Sequence, residues 1–314
     1  MSRISFVIPC YRSEKTIGAV VEEIKKTVGG REHEIILVND CSPDGTINEI
    51  KRLAAADSHI TGIDLARNFG QHAAIMAGLH QATGDVIVCL DDDGQTPADE
   101  MERLLKKLDE GYDVVYASYT NKKHSGFRNW GSRLNSKMTE IMLGKPKQLQ
   151  ISSYFAMRRF IKDEMLRYEG CYPYIMGLVL RSTKNICNVP IDHRERESGT
   201  SGYTLSKLIS LWMNGFTSFS VKPLRIANYL GCLSALCGFI YMIVIIIRHF
   251  ALNTAPLGWS STTALLLLIG GIILVVLGMV GEYIGRIYMC INATPQYLVR
   301  EVICTDAEKS DKGK

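Results

Sequence analysis

The sequence predicts an α/β fold built on a mostly parallel sheet, in a chain that then enters a membrane as a helical hairpin. Three observations carry this. Short apolar runs alternate with stretches whose apolar residues recur at helical spacing over residues 4–117, the pattern of strands joined by crossover helices. Two long runs without charge follow at 226–247 and 251–281, each long enough for a hydrocarbon core that needs about 20 apolar residues in a helix. The polar residues with most chemistry to offer fall just after the apolar runs: Pro9 and Tyr11, Asp40 to Asp44, Arg67 and Asn68, Asp91 to Asp93. Parallel sheets bind ligands at that end of their strands.

The elements follow in order. Residues 4–9 read as the first strand, and 16–28 as a helix through Ile17, Val20, Val21, Ile24 and Val28. Residues 34–40 form a second strand and 45–56 a helix with Ile47, Ile50, Leu53 and Ala54 on one side. A strand over 60–65, a helix over 70–82, a strand over 85–90 and a helix over 97–110 continue the alternation, and 114–117 adds a further strand. The stretch 203–221 carries Leu205, Leu208, Ile209, Leu211, Trp212, Met213 and Phe216 with Lys207 and Lys222 near its ends. It suits a helix lying in a membrane interface, or one packed on the N-terminal domain. Residues 226–281 are expected to hold the two spans, the second densest in apolar residues over 264–280.

Composition narrows the partners. A net charge of +4 gives no reason to expect nucleic acid. The nine cysteines show no paired spacing, so reduced, mostly buried thiols are expected rather than a disulfide or zinc framework. The first residues are too short an apolar stretch for a signal peptide and pass directly into a strand. Lys222 and Arg225 before the first span, with Arg286 and Arg300 after the second, favour both ends inside. The expected location is therefore the cytoplasmic membrane, multi-pass, with the large N-terminal domain in the cytoplasm. The boundaries read as 1–203 for that domain, 204–225 for the interfacial segment, 226–281 for the two transmembrane helices, and 282–314 for a C-terminal segment ending in a charged tail.

The acidic run Asp91-Asp92-Asp93 ends the fourth strand. Three carboxylates there repel one another and lose hydration unless something compensates. A divalent cation does so, and oxygen ligands suit Mg²⁺ or Mn²⁺ shared with substrate phosphates. Asp91 and Asp93 alternate along an extended backbone and can face one side while Asp92 faces the other. That Asp-x-Asp arrangement holds nucleotide-sugar diphosphates; the plainer alternative is an acidic loop. Asp40 could meet a base or ribose, whereas Asp44 and Thr46 could simply cap the next helix. Arg67 offers a fork of donors to a diphosphate or to neighbouring Asp residues. Gln95 could orient an acceptor or cap the helix that follows.

Taken in order, Ile8-Pro9-Cys10-Tyr11, Asp40-x-Ser42-x-Asp44-x-Thr46, Arg67-Asn68-x-Gly70-Gln71-His72 and Asp91-x-Asp93-x-Gln95 resemble the family 2 glycosyltransferases of GT-A fold. Downstream, Glu110-Gly111-Tyr112-Asp113-Val114-Val115, Phe127-Arg128, Glu195 to Tyr203 and Gly281 to Tyr288 resemble the polyprenyl-phosphate glycosyltransferases among them. The likeness is greatest to the undecaprenyl-phosphate 4-deoxy-4-formamido-L-arabinose transferases and the bactoprenol glucosyltransferases. It implies a GT-A nucleotide-sugar-binding fold with interfacial helices and a two-helix transmembrane hairpin. It further implies an inverting transfer of a sugar from a nucleoside-diphosphate donor, UDP-linked, to a polyprenyl phosphate, and it leaves room for a homo-oligomer. By the same resemblance Asp91 and Asp93 hold the metal. Pro9, Tyr11, Glu14, Asp40, Arg67 and Asp92 surround the nucleotide. Gln95 lies by the acceptor, and Arg128, Arg133 and Arg196 meet the lipid phosphate.

The chain departs from the family pattern in three places. Arg12 stands where Asn is frequent after the first-strand Tyr, Ser152-Ser153 where an acidic residue is frequent, and Gly202 where Lys is frequent. A phosphate acceptor is already anionic near neutral pH, so loss of a carboxylate base costs it little. Two other readings are a membrane adaptor with a degenerate sugar-nucleotide fold, which the intact acidic run opposes, and a polysaccharide synthase, which needs more spans and a Gln-x-x-Arg-Trp-like element not found here.

Overall fold

The computed structural model describes residues 2–94, 96–119, 139–140, 144–191, 258–292 and 294–305, with individual helical positions between 224 and 247. The chain divides into two compact units, Met1–Leu208 with Thr294–Lys314, and Ile209–Ala293.

The first unit is built on an eight-stranded sheet of order β7-β5-β6-β4-β1-β2-β3-β8. Its first half alternates as the periodicity predicts: β1 (Ile4–Cys10), α1 (Ile17–Val28), β2 (His33–Asn39), α2 (Thr46–Ala56), β3 (Ile60–Leu65), α3 (Gln71–Gln81) and β4 (Val86–Cys89). A 3₁₀ turn at Ala98–Glu100 leads into α4 (Met101–Asp109), then β5 (Val114–Tyr119). Strands β1, β2, β3 and β4 run parallel, with β1 between β2 and β4. Their residues are buried on both faces, which is why they read as unbroken apolar runs rather than alternating ones. Pro9 lacks an N–H, and it lies beyond the last β1–β4 pair, Val7 with Cys89, where that donor is not needed.

Helix α3 lies so close to the sheet that a Cβ on Gly78 would come within 2.4 Å of Val7 Cγ1. Every residue from Ala73 to Leu79 is buried, so this helix is apolar all round. On the other face α1 buries Ile17, Val20, Val21, Ile24 and Val28, as its spacing requires.

The second half of the sheet was less visible in the sequence. Strand β6 (Phe155–Arg158) inserts antiparallel between β4 and β5. Helices α5 (Arg159–Leu166) and α6 (Ile175–Ser182) lead to β7 (Ile186–Ile191), parallel to β5. Strand β8 (Val299–Ile303) closes the far edge antiparallel to β3. The sequence predicts only a C-terminal segment there; the structure makes it a strand of the main sheet.

The second unit contains α7 (Trp259–Ile291), 33 residues long. Within it, Ile269–Ile291 is long and apolar enough to cross a membrane. Glu282 and Arg286 lie one turn apart on this helix and pair at 2.6 Å. Of the first expected span, 226–247, the described positions are helical, and the remainder lies outside the described residues. So does most of the expected interfacial segment 204–225.

Candidate active site

Four parallel strands end side by side, and each is followed by a residue in the left-handed region. These are Arg12 (φ 60°) after β1, Cys41 (φ 50°) after β2, Gly70 (φ 90°) after β3 and Gly94 (φ 73°) after β4. Glycine takes that conformation freely; for Arg12 and Cys41 it is strained and must be held by neighbours. The turns gather Tyr11, Asp40, Arg67 and the acidic run at one edge of the sheet.

A web of hydrogen bonds binds these loops together. Tyr11 N donates to Asp92 Oδ2 at 2.9 Å, and Arg12 N to Ser42 Oγ at 2.8 Å. Ser42 Oγ and Thr46 Oγ1 donate to Asp44 Oδ1 at 2.5 and 2.6 Å, and Ser13 N donates to Thr46 Oγ1 at 3.0 Å. Gly45 N donates to Glu14 Oε2 at 3.1 Å. Asp40 accepts from Phe69 N at 2.7 Å and Gly70 N at 2.8 Å, one on each carboxylate oxygen. Burial raises the Asp40 pKa, and those two N–H groups oppose the rise.

Glu14, Asp40 and Asp92 therefore do something the sequence did not reveal: each braces a neighbouring loop. Gly45 occupies the N-cap position of α2, and Asp44, one residue earlier, accepts from the first helical amide, Thr46 N, at 3.3 Å while also holding Ser42 in the loop. Tyr11 is 45 % exposed, with the Arg12 guanidinium 5.6 Å from its ring centroid. Arg67 is exposed and lies over the Phe69 ring at 4.6 Å. Pro9 stays in β1.

Asp91 sits deepest. Gln71 Nε2 donates to its Oδ1 at 3.0 Å, and Ser153 Oγ donates to its Oδ2. Gln71 and Ser153 had no assigned role in the sequence reading. Ser153 gains one because β6 enters beside β4, a non-local pairing with no local signal. Burial pushes the Asp91 pKa up to about 6, and the charges acting on it, Asp93 and Asp92, add to the rise. Burial likewise raises Asp92.

This donor set fits a hard divalent cation. Among the described residues no three His, Cys, Asp or Glu side chains form a ready-made metal cage. Two carboxylates of one strand end suit Mg²⁺ or Mn²⁺, which fill their remaining positions with phosphate and water. Gln95, Arg128, Arg133 and Arg196 lie outside the described residues.

A mostly parallel α/β sheet with an Asp-x-Asp pair at its strand ends is the arrangement of a GT-A-like nucleotide-sugar-binding fold. The glycosyl transferase family 2 model matches residues 5–166, more than half of the chain, so the protein belongs to that family and is a glycosyltransferase. The GtrB C-terminal hairpin model matches residues 222–287. Among solved structures, the chain resembles glucosyl-3-phosphoglycerate synthase from Mycobacterium tuberculosis in complex with Mn²⁺ and UDP-glucose. The identity is 19%, the match covers 69% of this chain and 77% of that one, and the TM-score is 0.52. The same enzyme with Mn²⁺, UDP and phosphoglyceric acid matches at 18% identity over 67% and 75% of the two chains, with a TM-score of 0.51. At these identities the likeness is one of fold.

Proposed function

We propose that the protein transfers a sugar, with inversion, from a UDP-linked donor to a polyprenyl phosphate at the cytoplasmic face of a membrane. Mg²⁺ or Mn²⁺ is held by Asp91 and Asp93. One observation carries the donor half: Asp91, Asp92 and Asp93 follow one another at the end of β4, where the half-buried Asp91 carboxylate has neighbours of its own sign. Mn²⁺ and UDP in the mycobacterial synthase structures support the same assignment. When bound, the cation supplies charge neutralisation to the departing diphosphate. Gln71 and Ser153 hold Asp91 in one orientation. Arg67 is assigned to the diphosphate and Tyr11 and Pro9 to the nucleotide, and the loops braced by Glu14, Asp40 and Asp92 keep that side in shape.

In the transfer, an oxygen of the acceptor phosphate attacks the anomeric carbon from the face opposite the diphosphate. The bond from that carbon to the diphosphate oxygen breaks, and its electron pair leaves with the oxygen. The acceptor is already an anion, so Ser153 at the position of a frequent carboxylate is no obstacle. Arg128, Arg133 and Arg196 are assigned to the lipid phosphate, because planar guanidinium forks stay charged and bind phosphate oxygens in pairs. Gln95 is assigned to orienting the acceptor.

The hairpin match supports a membrane location. The sheet supports an even number of crossings: β8, beyond α7, pairs with β3, so the chain before and after the hairpin lies on one side. A domain of residues 1–203 and an interfacial segment 204–225 complete the proposed organisation. The test is incubation of the detergent-solubilised protein with a panel of nucleotide sugars and undecaprenyl phosphate, followed by lipid mass spectrometry. A glycosylated lipid phosphate is expected. Hydrolysis of donor without any lipid product would overturn the acceptor assignment, and no donor turnover would favour the adaptor reading.

A further inference from the structure

The edge strand β8 carries one residue, Arg300, whose side chain reaches the end of β3 and the first residue of the loop that follows it. In the β3–β8 ladder Asp64 pairs with Glu301 and Leu65 with Val299, so Arg300 is an extra residue between them. Such a bulge re-aims a side chain. Arg300 Nη1 donates to Asp64 Oδ2 at 3.0 Å, and Nη2 to the Ala66 carbonyl at 2.8 Å. Asp64 passes the contact on. Its Oδ1 accepts from Asn39 Nδ2 at 2.7 Å, and Asn39 Oδ1 accepts from Ser42 N at 3.2 Å.

We propose that Arg300, supplied by the chain beyond the membrane hairpin, is a positioning residue that holds the β2 and β3 loops of the donor site in register. The proposal rests on the reading of those loops as the donor site. The two loops it reaches carry Asp40 and Ser42 on one side and Arg67 to Gly70 on the other, and Asp40 ties them by accepting from Phe69 N and Gly70 N. Ser42 in turn accepts from Arg12 N and so restrains a residue held in a strained conformation.

An ordinary surface ion pair would do little of this. Here the partners are unequal: the Arg300 side chain is 55% exposed, whereas the Asp64 side chain is only 6% exposed. A buried carboxylate needs its hydrogen bonds filled, and Arg300 is the cation that reaches it. Two donors of one planar fork meet a side chain and a backbone carbonyl two residues apart, which fixes the direction in which the chain leaves β3 toward Arg67. The strand is itself well anchored. Ile303 packs over Gly62, where an added Cβ would meet Ile303 Cβ at 3.3 Å. Lys51 pairs with Glu301 at 2.8 Å, and Leu298 O accepts from Ala66 N at 2.8 Å.

The test uses the full chain in detergent, with UDP and Mn²⁺ as the probe. Arg300→Ala is expected to speed amide exchange at Ser42, Phe69 and Gly70 while leaving α1 unchanged. It should also weaken UDP binding about tenfold, because loops released by the loss of one charge-assisted contact must be ordered again when UDP binds. Arg300→Lys can fill one acceptor but not both, and should recover part of that loss. If Arg300→Ala does not fold, the pair Asp64→Asn with Arg300→Gln removes the buried charge and should fold with a similar loss of UDP affinity. Unchanged exchange at the three amides, or unchanged UDP affinity in a folded variant, would overturn the proposal. A wild-type protein that binds UDP but shows that result condemns the relay alone. A wild-type protein that does not bind UDP removes the donor-site reading and the relay with it.

Discussion

Replacing His72 by Phe should remove much of the protein's loss of stability in mild acid. His72 lies in the first turn of α3, beside Gln71, with its ring edge-on to Tyr174 at a centroid distance of 5.2 Å. Its Nδ1 is buried without a hydrogen-bond partner among the described residues. Burial pushes its pKa down from the ordinary 6.5 to about 4. Between those values the unfolded chain takes a proton that the folded protein refuses, so stability falls as the pH falls through that window. Integrating the linkage from about pH 7.5 to about pH 5 gives a loss of roughly 2 kcal/mol. For a unit of this size that is roughly 4–8 °C in melting temperature. Phe keeps an aromatic ring against Tyr174 and carries no proton. Asp91 acts in the opposite sense: its folded pKa is raised to about 6, so protonation through that range adds stability. Both proteins share Asp91, and its effect cancels in the difference between them. Thermal melting of the detergent-solubilised wild type and His72→Phe across this pH range is the assay. Wild type should lose several degrees more than the variant; parallel profiles would refute the reasoning.

Arg12→Gly should raise the melting temperature modestly, by about 0.5–1 kcal/mol of stability, because Gly accepts φ 60° without the strain that a side chain brings. Gly78→Val should cost roughly 1–3 kcal/mol by overpacking, since a Cβ there meets Val7 Cγ1 at 2.4 Å and Val38 Cγ2 at 3.2 Å. Denaturant unfolding checks both, and a Gly78→Val protein as stable as wild type would contradict the close packing of α3 on β1.

The first four strands and helices were legible because each is a local pattern: apolar runs buried on two faces, or apolar residues at helical spacing. The acidic run at the end of β4 was legible for the same reason. What was hidden depends on pairings between distant segments. Strand β6 has four residues and takes its place only by lying between β4 and β5. It brings Ser153 to Asp91, a contact that nothing near Ser153 announces. Strand β8 is short, mostly exposed and far in sequence from β3. Asp64, a charge inside an otherwise apolar strand, was a signal that some partner must exist; which one could not be read from spacing. Glu14, Asp40 and Asp92 are assigned to the nucleotide by resemblance to the family. The structure gives them loop-bracing bonds first, since short acidic side chains satisfy nearby N–H groups wherever turns expose them.

We propose that the carboxylates at the end of β4 bind the donor through a metal so that its sugar passes to a lipid phosphate. The decisive measurement is sugar transfer to undecaprenyl phosphate by wild type and Asp93→Asn across a titration of Mn²⁺ or Mg²⁺. Wild type should form glycosylated lipid in a metal-dependent way, and a folded Asp93→Asn protein should lose most transfer. Full transfer by the variant, or by wild type in excess chelator, would contradict it.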